Sequence, residues 1–149
     1  MAEQDHCREL LLENQLCFAL HSTSLLMTKV YKPFLKELGL TYPQYLAMLV
    51  LWESDGITVG EMSKRLLTDS GSLTPLLKRL EADGLLKRVR RQADERVVEL
   101  HLTEAGRAMR DRARDIPACI VKASDRDVDS LVALKEDLLK LRKSLQDAL

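Results

Sequence analysis

Apolar positions at helical spacing open the chain. Leu10, Leu11, Cys17, Leu20, Ser24, Leu25 and Met27 predict one long first helix from Arg8 to about Leu38, bent near Pro33 and ended by Gly39. Thr41 with Gln44 three residues later forms a capping-box pattern, and Pro43 falls in the first turn, where its missing N–H costs nothing; a second helix follows to about Glu53. Asp55-Gly56 is a turn. Thr58 with Glu61 repeats the cap before a short helix from Val59 to Leu67. After a four-residue break, Thr68 to Gly71, Ser72 caps a helix to Asp83 that turns Leu73, Leu76, Leu77 and Leu80 inward and Thr74, Lys78 and Arg79 outward.

Beyond Gly84 the period changes from 3.6 to 2. Val98, Leu100 and Leu102 alternate with Glu99 and His101, a half-buried strand, and Leu86 to Arg91 can pair with it across Gln92 to Glu95. Thr103 caps a further helix running to Pro117 or beyond, and Leu131, Leu134, Leu138, Leu141 and Leu145 form a near-heptad seam in a last helix from Val128 to Leu145. Two short helices joined by a tight turn and followed by a hairpin make a winged helix-turn-helix. The expected fold is therefore mainly α with a small β-hairpin wing. Residues 41–102 are expected to form the DNA-binding reader, and residues 1–38 and 103–149 to supply dimerisation helices within one chain. The alternative for the last helix is packing on its own first helix.

Composition narrows the class without naming a partner. A hydrophobic fraction of 46% and 23 acids against 23 bases describe a globular domain and exclude a disordered chain. The apolar run that opens at Tyr45 and closes before Glu53 is far below the ~20 residues that cross a bilayer. The acidic N-terminus resembles neither a secretory signal nor a transit peptide, so the expected location is cytoplasmic, with no membrane partner. Cys7, Cys17 and Cys119 are an odd, widely spaced set that argues against a disulfide scaffold.

Charge changes the picture once it is read by segment. From Met62 to Val98 stand nine bases against Asp69, Glu81, Asp83, Asp94 and Glu95, a net of +4 inside a neutral chain. Such clustering is the footprint of phosphate binding, and here it coincides with the helix-turn-helix and hairpin. Ser70, Ser72, Thr74, Lys78 and Arg79 are candidates for the major groove and its phosphates. Arg90, Arg91 and Arg96 at the hairpin tip suit the negative potential of a narrow minor groove, with Asp94 placed to orient Arg96 by a two-point pair. The expected partner is a pseudo-palindromic double-stranded DNA site read by a homodimer.

Four segments carry a family resemblance: Thr58 to Lys64 (TVGEMSK), Leu73 to Leu85 (LTPLLKRLEADGL), Arg90 to Arg96 (RRQADER) and Leu102-Thr103. Through them the chain resembles the MarR family of winged-helix regulators, with Asp94 and Arg96 supplying the wing's Asp-x-Arg mark. Leu16 to Thr28 (LCFALHSTSLLMT) and Gly39 to Glu53 (GLTYPQYLAMLVLWE) are similar to the OhrR-like organic-hydroperoxide sensor subgroup. The resemblance implies a non-enzymatic, dimeric repressor without a cofactor, which leaves its operator when a cysteine is oxidised. It makes Cys17 the peroxidatic cysteine and Tyr31 and Tyr42 the tyrosines that contact it.

Physical chemistry constrains that implication. Tyr31 lies fourteen residues beyond Cys17 on one helix, about 21 Å away at 1.5 Å per residue, so a contact between them needs two subunits. Cys17 is expected on the buried side of the first helix with Leu20 and Ser24. A thiolate held by phenolic donors attacks a peroxide O–O bond and yields a sulfenic acid, which a second thiol converts to a disulfide. Cys119, near Pro117 at the far end of the fifth helix, is the candidate second thiol. In two-cysteine members that residue lies about one turn later, where this chain has Lys122, so a small thiol stays open as the resolver. His21, one turn from Cys17, either tunes the thiolate or fills space, and Cys7 has no assigned role.

Competing readings are a regulator that binds a small aromatic or phenolic ligand in the interface pocket, a thiol peroxidase, and a metal sensor. A peroxidase lacks a dedicated Thr/Arg activating pair or a βαβ unit around Cys17. The Cys17/His21 and His6/Cys7 pairs have no third ligand nearby, so no metal is expected.

Overall fold

The computed structural model describes residues 7–149. The chain forms two compact units, Met1–Arg112 and Ala113–Leu149. In the first, two 3-10 turns (Arg8–Leu10 and Leu12–Asn14) lead into α1 (Leu16–Leu38), α2 (Tyr42–Glu53), α3 (Val59–Leu66), α4 (Ser70–Ala82), the strands β1 (Leu86–Arg90) and β2 (Val98–Leu102), and α5 (Glu104–Ala113). The second holds α6 (Ile116–Ala123) and α7 (Val128–Asp147). This is the mainly helical, hairpin-winged architecture that the periodicity predicts.

Local chemistry explains where the expected boundaries move. The first helix starts at Leu16 rather than Arg8. The Gln15 amide donates to the Glu9 and Leu11 carbonyls (2.7 and 2.9 Å) and the Asn14 amide to the Arg8 carbonyl (2.7 Å), so side chains satisfy a tighter, non-α backbone. Pro33 is accommodated inside α1. Gly39 closes the helix at φ 71°, letting the Leu40 N–H reach back to the Leu35 carbonyl (3.0 Å). Thr41 and Gln44 form the reciprocal capping box over α2.

Helix α4 is capped by Asp69, not Ser72. The Asp69 carboxylate accepts from the Ser72 backbone N–H (2.9 Å) and hydroxyl (3.0 Å), which hold it below the usual carboxylate range. The turn is correspondingly shorter than the expected Thr68 to Gly71. The helix after Thr103 does not run to Pro117: it ends at Ala113, and Pro117 occupies the first turn of a separate α6, which carries Cys119.

The core of the first unit is built around α2, whose Tyr45, Ala47, Met48, Val50 and Leu51 are buried. Leu35, Leu38 and Leu40 at the end of α1, Met62 of α3, Leu73, Leu77 and Leu80 of α4, and Leu86, Leu100 and Leu102 of the hairpin complete it. Each fully buried leucine contributes on the order of 1.5–3 kcal/mol. β1 and β2 are antiparallel with Leu86 opposite Leu102 and Arg90 opposite Val98. At the base of the hairpin the Trp52 indole donates to the Gly106 carbonyl (2.9 Å), tying α2 to α5. Gly106 has no room for a side chain, because a methyl group there would overlap the Leu85 carbonyl oxygen.

α1 is the exception to this packing. Only Leu35 and Leu38 of its residues are buried, while Leu16, Phe18, Leu20, Leu25, Leu26, Met27 and Val30 are exposed. In the second unit α7 likewise exposes Leu134, Leu138 and Leu145 of its seam, and Leu131 and Leu141 are half-buried. No helix among the described residues is long and apolar enough to cross a membrane.

Candidate functional site

The basic face is assembled by α3, α4 and the wing. A cleft of about 490 Å3 lies between α4 and the hairpin, lined by Ser70, Thr74 and Lys78 on one side and Arg88, Arg90 and Arg96 on the other. These basic groups come from residues up to eighteen positions apart, and the antiparallel register of β1 and β2 puts them on one surface. Several of them are held before any ligand arrives. Arg96 meets Asp94 through its Nε (3.1 Å) and Nη2 (3.3 Å), and its backbone N–H donates to the same carboxylate (3.1 Å). Those bonds keep the Asp94 carboxyl below its ordinary range. The Arg96 side chain nevertheless stays almost wholly exposed, so it is oriented rather than consumed.

The other predicted groups divide by what already binds them. Arg90 donates to the Glu95 carbonyl across the wing tip (2.9 Å). Arg91 pairs with Glu99 (2.7 Å), which also meets His101 (3.3 Å); both partners, Arg91 first, hold the Glu99 carboxyl down. Arg79 pairs with Asp83 at 3.5 Å. The Thr74 hydroxyl donates to the Ser70 carbonyl (2.9 Å), and Ser72 is occupied at the Asp69 cap. Lys78 makes no ion pair among the described residues.

Sequence reasoning missed Arg88 and Glu81. The Glu81 carboxylate accepts from the Arg88 backbone N–H (2.7 Å) and from its Nε and Nη2 (3.2 and 3.1 Å), with the backbone bond the main cause of its lowered pKa. This pair fixes the base of the wing to α4. The strand alternation carries the signal, since Leu86, Arg88 and Arg90 share one face.

The thiol site is made of separate pieces in one protomer. Cys17 lies in the first turn of α1 and is exposed, as are Leu20, His21 and Ser24. The expected buried side is therefore uncovered within the protomer, because α1 runs out beyond the core that α2 organises. Tyr31 and Tyr42 do meet, with ring centroids 5.2 Å apart. Tyr45 joins them, 5.6 Å from Tyr31 and 6.5 Å from Tyr42, a third ring whose helical spacing from Tyr42 was the available sign. Burial, and then the neighbouring phenols Tyr45 and Tyr42, push Tyr31 up to about 12. Tyr45 is raised by the same burial and by Tyr42. Tyr31 and Tyr45 therefore stay protonated at neutral pH and remain donors. Cys119 is half-buried on α6, and Cys7 is exposed with its thiol 3.1 Å from the Glu9 carboxylate. Among the described residues no group of three His, Cys, Asp or Glu could hold a metal ion.

Residues 29–112 match the family model described as transcriptional regulator SarA/Rot. Over 141 residues the chain is 48% identical to the organic hydroperoxide resistance transcriptional regulator of Bacillus subtilis (strain 168), covering 95% of this chain and 94% of that one. The chain belongs to the MarR-type winged-helix transcriptional regulators. This MarR-type chain superposes on the solved structure of reduced AbfR bound to DNA with a TM-score of 0.79 at 35% identity, covering 90% of this chain and 94% of that one. Against the disulfide-formed structure of AbfR, at 35% identity and coverages of 91% and 90%, the TM-score is 0.63. As a MarR-type protein it is a DNA-binding regulator of transcription, a class that is not enzymatic.

Proposed function

We propose that this regulator is a cytoplasmic, dimeric repressor that senses organic hydroperoxides through Cys17 and releases its operator when that cysteine is oxidised. The observation that carries the reading is an exposed Cys17 on the same helix as Tyr31, whose ring meets Tyr42 of the neighbouring helix. The named function of the Bacillus subtilis relative supports it. Straight-line helix geometry places Tyr31 about 21 Å from its own Cys17, so the phenols serve Cys17 of a second subunit.

In the chemical step the Cys17 thiolate attacks the terminal oxygen of the hydroperoxide. The O–O bond breaks with its electron pair going to the alkoxide, which takes a proton and leaves as an alcohol. Sulfur becomes a sulfenic acid, oxidised by two electrons while the peroxide is reduced. The Tyr31 phenol, which keeps its proton to high pH, donates a hydrogen bond to the thiolate and the developing alkoxide. A sulfenic acid or a disulfide cannot keep those contacts, so the dimer repacks and its two recognition helices lose register with successive major grooves. Cys119 or a small thiol then resolves the sulfenic acid.

On the DNA side, Ser70, Ser72, Thr74, Lys78 and Arg79 face the major groove or its phosphates, and Arg90, Arg91 and Asp94-oriented Arg96 engage the minor groove flank. The test is operator binding before and after cumene hydroperoxide. Cys17→Ser is expected to bind the operator as tightly as wild type and to stay bound after peroxide. Release by that variant overturns the reading.

A further inference from the structure

The cations that line the cleft between α4 and the wing stand in three different electrostatic conditions. Lys78 and Arg90 have no carboxylate partner among the described residues, and Arg90 is tied only to the Glu95 carbonyl. Arg96 has Asp94, two residues away on its own loop, and its side chain remains 91% exposed. Arg88 is held differently. Its acid comes from another element: Glu81 in the last turn of α4 gives one carboxylate oxygen to the Arg88 backbone N–H (2.7 Å) and the other to its Nε and Nη2 (3.2 and 3.1 Å). These two side chains are only 28% and 34% exposed.

A duplex laid along the basic face brings phosphates to this cleft, on the reading of the DNA side given above. Lys78, Arg90 and Arg96 meet them as free or outward-facing cations. Arg88 meets them as one half of a pair. Attraction to its guanidinium is largely offset by repulsion from a carboxylate about 3 Å away from it. Arg88 therefore adds little to the phosphate attraction that any duplex exerts, whatever its sequence. The Arg88 backbone N–H first, and then its guanidinium, keep the Glu81 carboxyl below its ordinary range, so the pair is charged at neutral pH.

On a matched site the same carboxylate acts in the opposite sense. A site read by a helix in one groove and a wing in the next needs α4 and the wing at a fixed separation. Glu81 supplies that brace, because its two oxygens join α4 to the strand that leads to Arg90. An unmatched duplex, held by its phosphates alone, gains nothing from a fixed separation.

We propose that Glu81 is a specificity-determining residue, which withholds Arg88 from sequence-independent DNA binding while bracing the wing against α4 for the operator. It acts through Arg88 and is a positioning residue. What it sets is the ratio of operator to non-operator affinity, by making the wrong duplex bind less well.

Glu81→Gln tests this, since it removes the charge and leaves one oxygen, which can serve the backbone N–H or the guanidinium but not both. Binding to the operator and to an unrelated duplex of equal length is followed by fluorescence anisotropy over a salt series. For the unrelated duplex, affinity is expected to rise about threefold to tenfold near ~100 mM salt, and the slope of log affinity against log salt to steepen by about one. Operator affinity should stay level or fall. Adding Arg88→Gln should return the unrelated duplex to wild-type affinity and slope. Glu37→Gln, which removes an exposed acid of α1 that does not line the cleft, should change neither duplex. No gain on the unrelated duplex would leave Glu81 a merely structural brace and overturns the proposal. An equal gain on both duplexes, or the same gain from Glu37→Gln, overturns it as well, because net charge would then explain the effect. Lys78→Ala separates this from the placement of the basic face on DNA. If that variant weakens both duplexes while Glu81→Gln gives no gain, the face stands and only the role of Glu81 fails; if it alters neither duplex, the reading of the face fails and the proposal with it.

Discussion

Tyr31 keeps its proton to about pH 12 because it is half-buried beside two other phenols, and a phenoxide there would lose solvation and face its neighbours' charge. Its value in the folded chain lies above the ordinary phenol value of about 10, so between those values the folded state binds more protons than the unfolded state. Stability is therefore full below about pH 10 and falls as pH rises toward about 12. Tyr31→Phe removes that loss. The drop in urea midpoint across this window should be smaller in the variant than in wild type, and an equal drop would assign alkaline lability to other groups. That Tyr31 and Tyr42 stand together was legible as a resemblance, whereas the high pKa of Tyr31 was not, because its burial and the approach of Tyr45 are set only by packing.

At the scale of the element, the wing shows how local and long-range ion pairs brace a short β-hairpin. Asp94 lies two residues from Arg96 and Glu81 reaches across to Arg88, so one carboxylate orients the tip and another anchors the base. The tip pair was legible because it is local. The anchor was not, since it joins a helix to a strand. Arg96→Ala should weaken operator binding about tenfold and lower the slope of log affinity against log salt by about one, as expected for one lost phosphate or groove contact. Filter binding or fluorescence anisotropy over a salt series measures both, and an unchanged slope would remove Arg96 from the interface. The same distinction explains the misplaced cap of α4: Asp69 and Ser72 both suit the role, and only the backbone path chose Asp69.

For the whole molecule, the decisive feature is apolar surface left uncovered at both ends of the chain. Leu16, Leu25 and Leu26 of α1 and Leu134, Leu138 and Leu145 of α7 are exposed in the protomer. Dimerisation that buries them makes folding stability depend on protein concentration. Thermal unfolding is expected to shift upward as protomer concentration rises from about 1 to about 100 μM, by mass action. A transition independent of concentration would indicate a monomer.

The sequence by itself determined what is local: the caps at Thr41, Thr58 and Thr103, the turn at Gly39, the strand alternation around Leu100, and the Asp94–Arg96 pair, all set by neighbours within a few residues. Tertiary structure alone decided which faces found cover. Cys17 has an apolar helical setting that reads as buried, yet it is exposed because the core forms around α2 and leaves most of α1 outside. The Tyr45 ring and the Glu81–Arg88 anchor were hidden for the same reason: burial and long-range pairing depend on where distant elements pack, and periodicity says only that a face needs a partner.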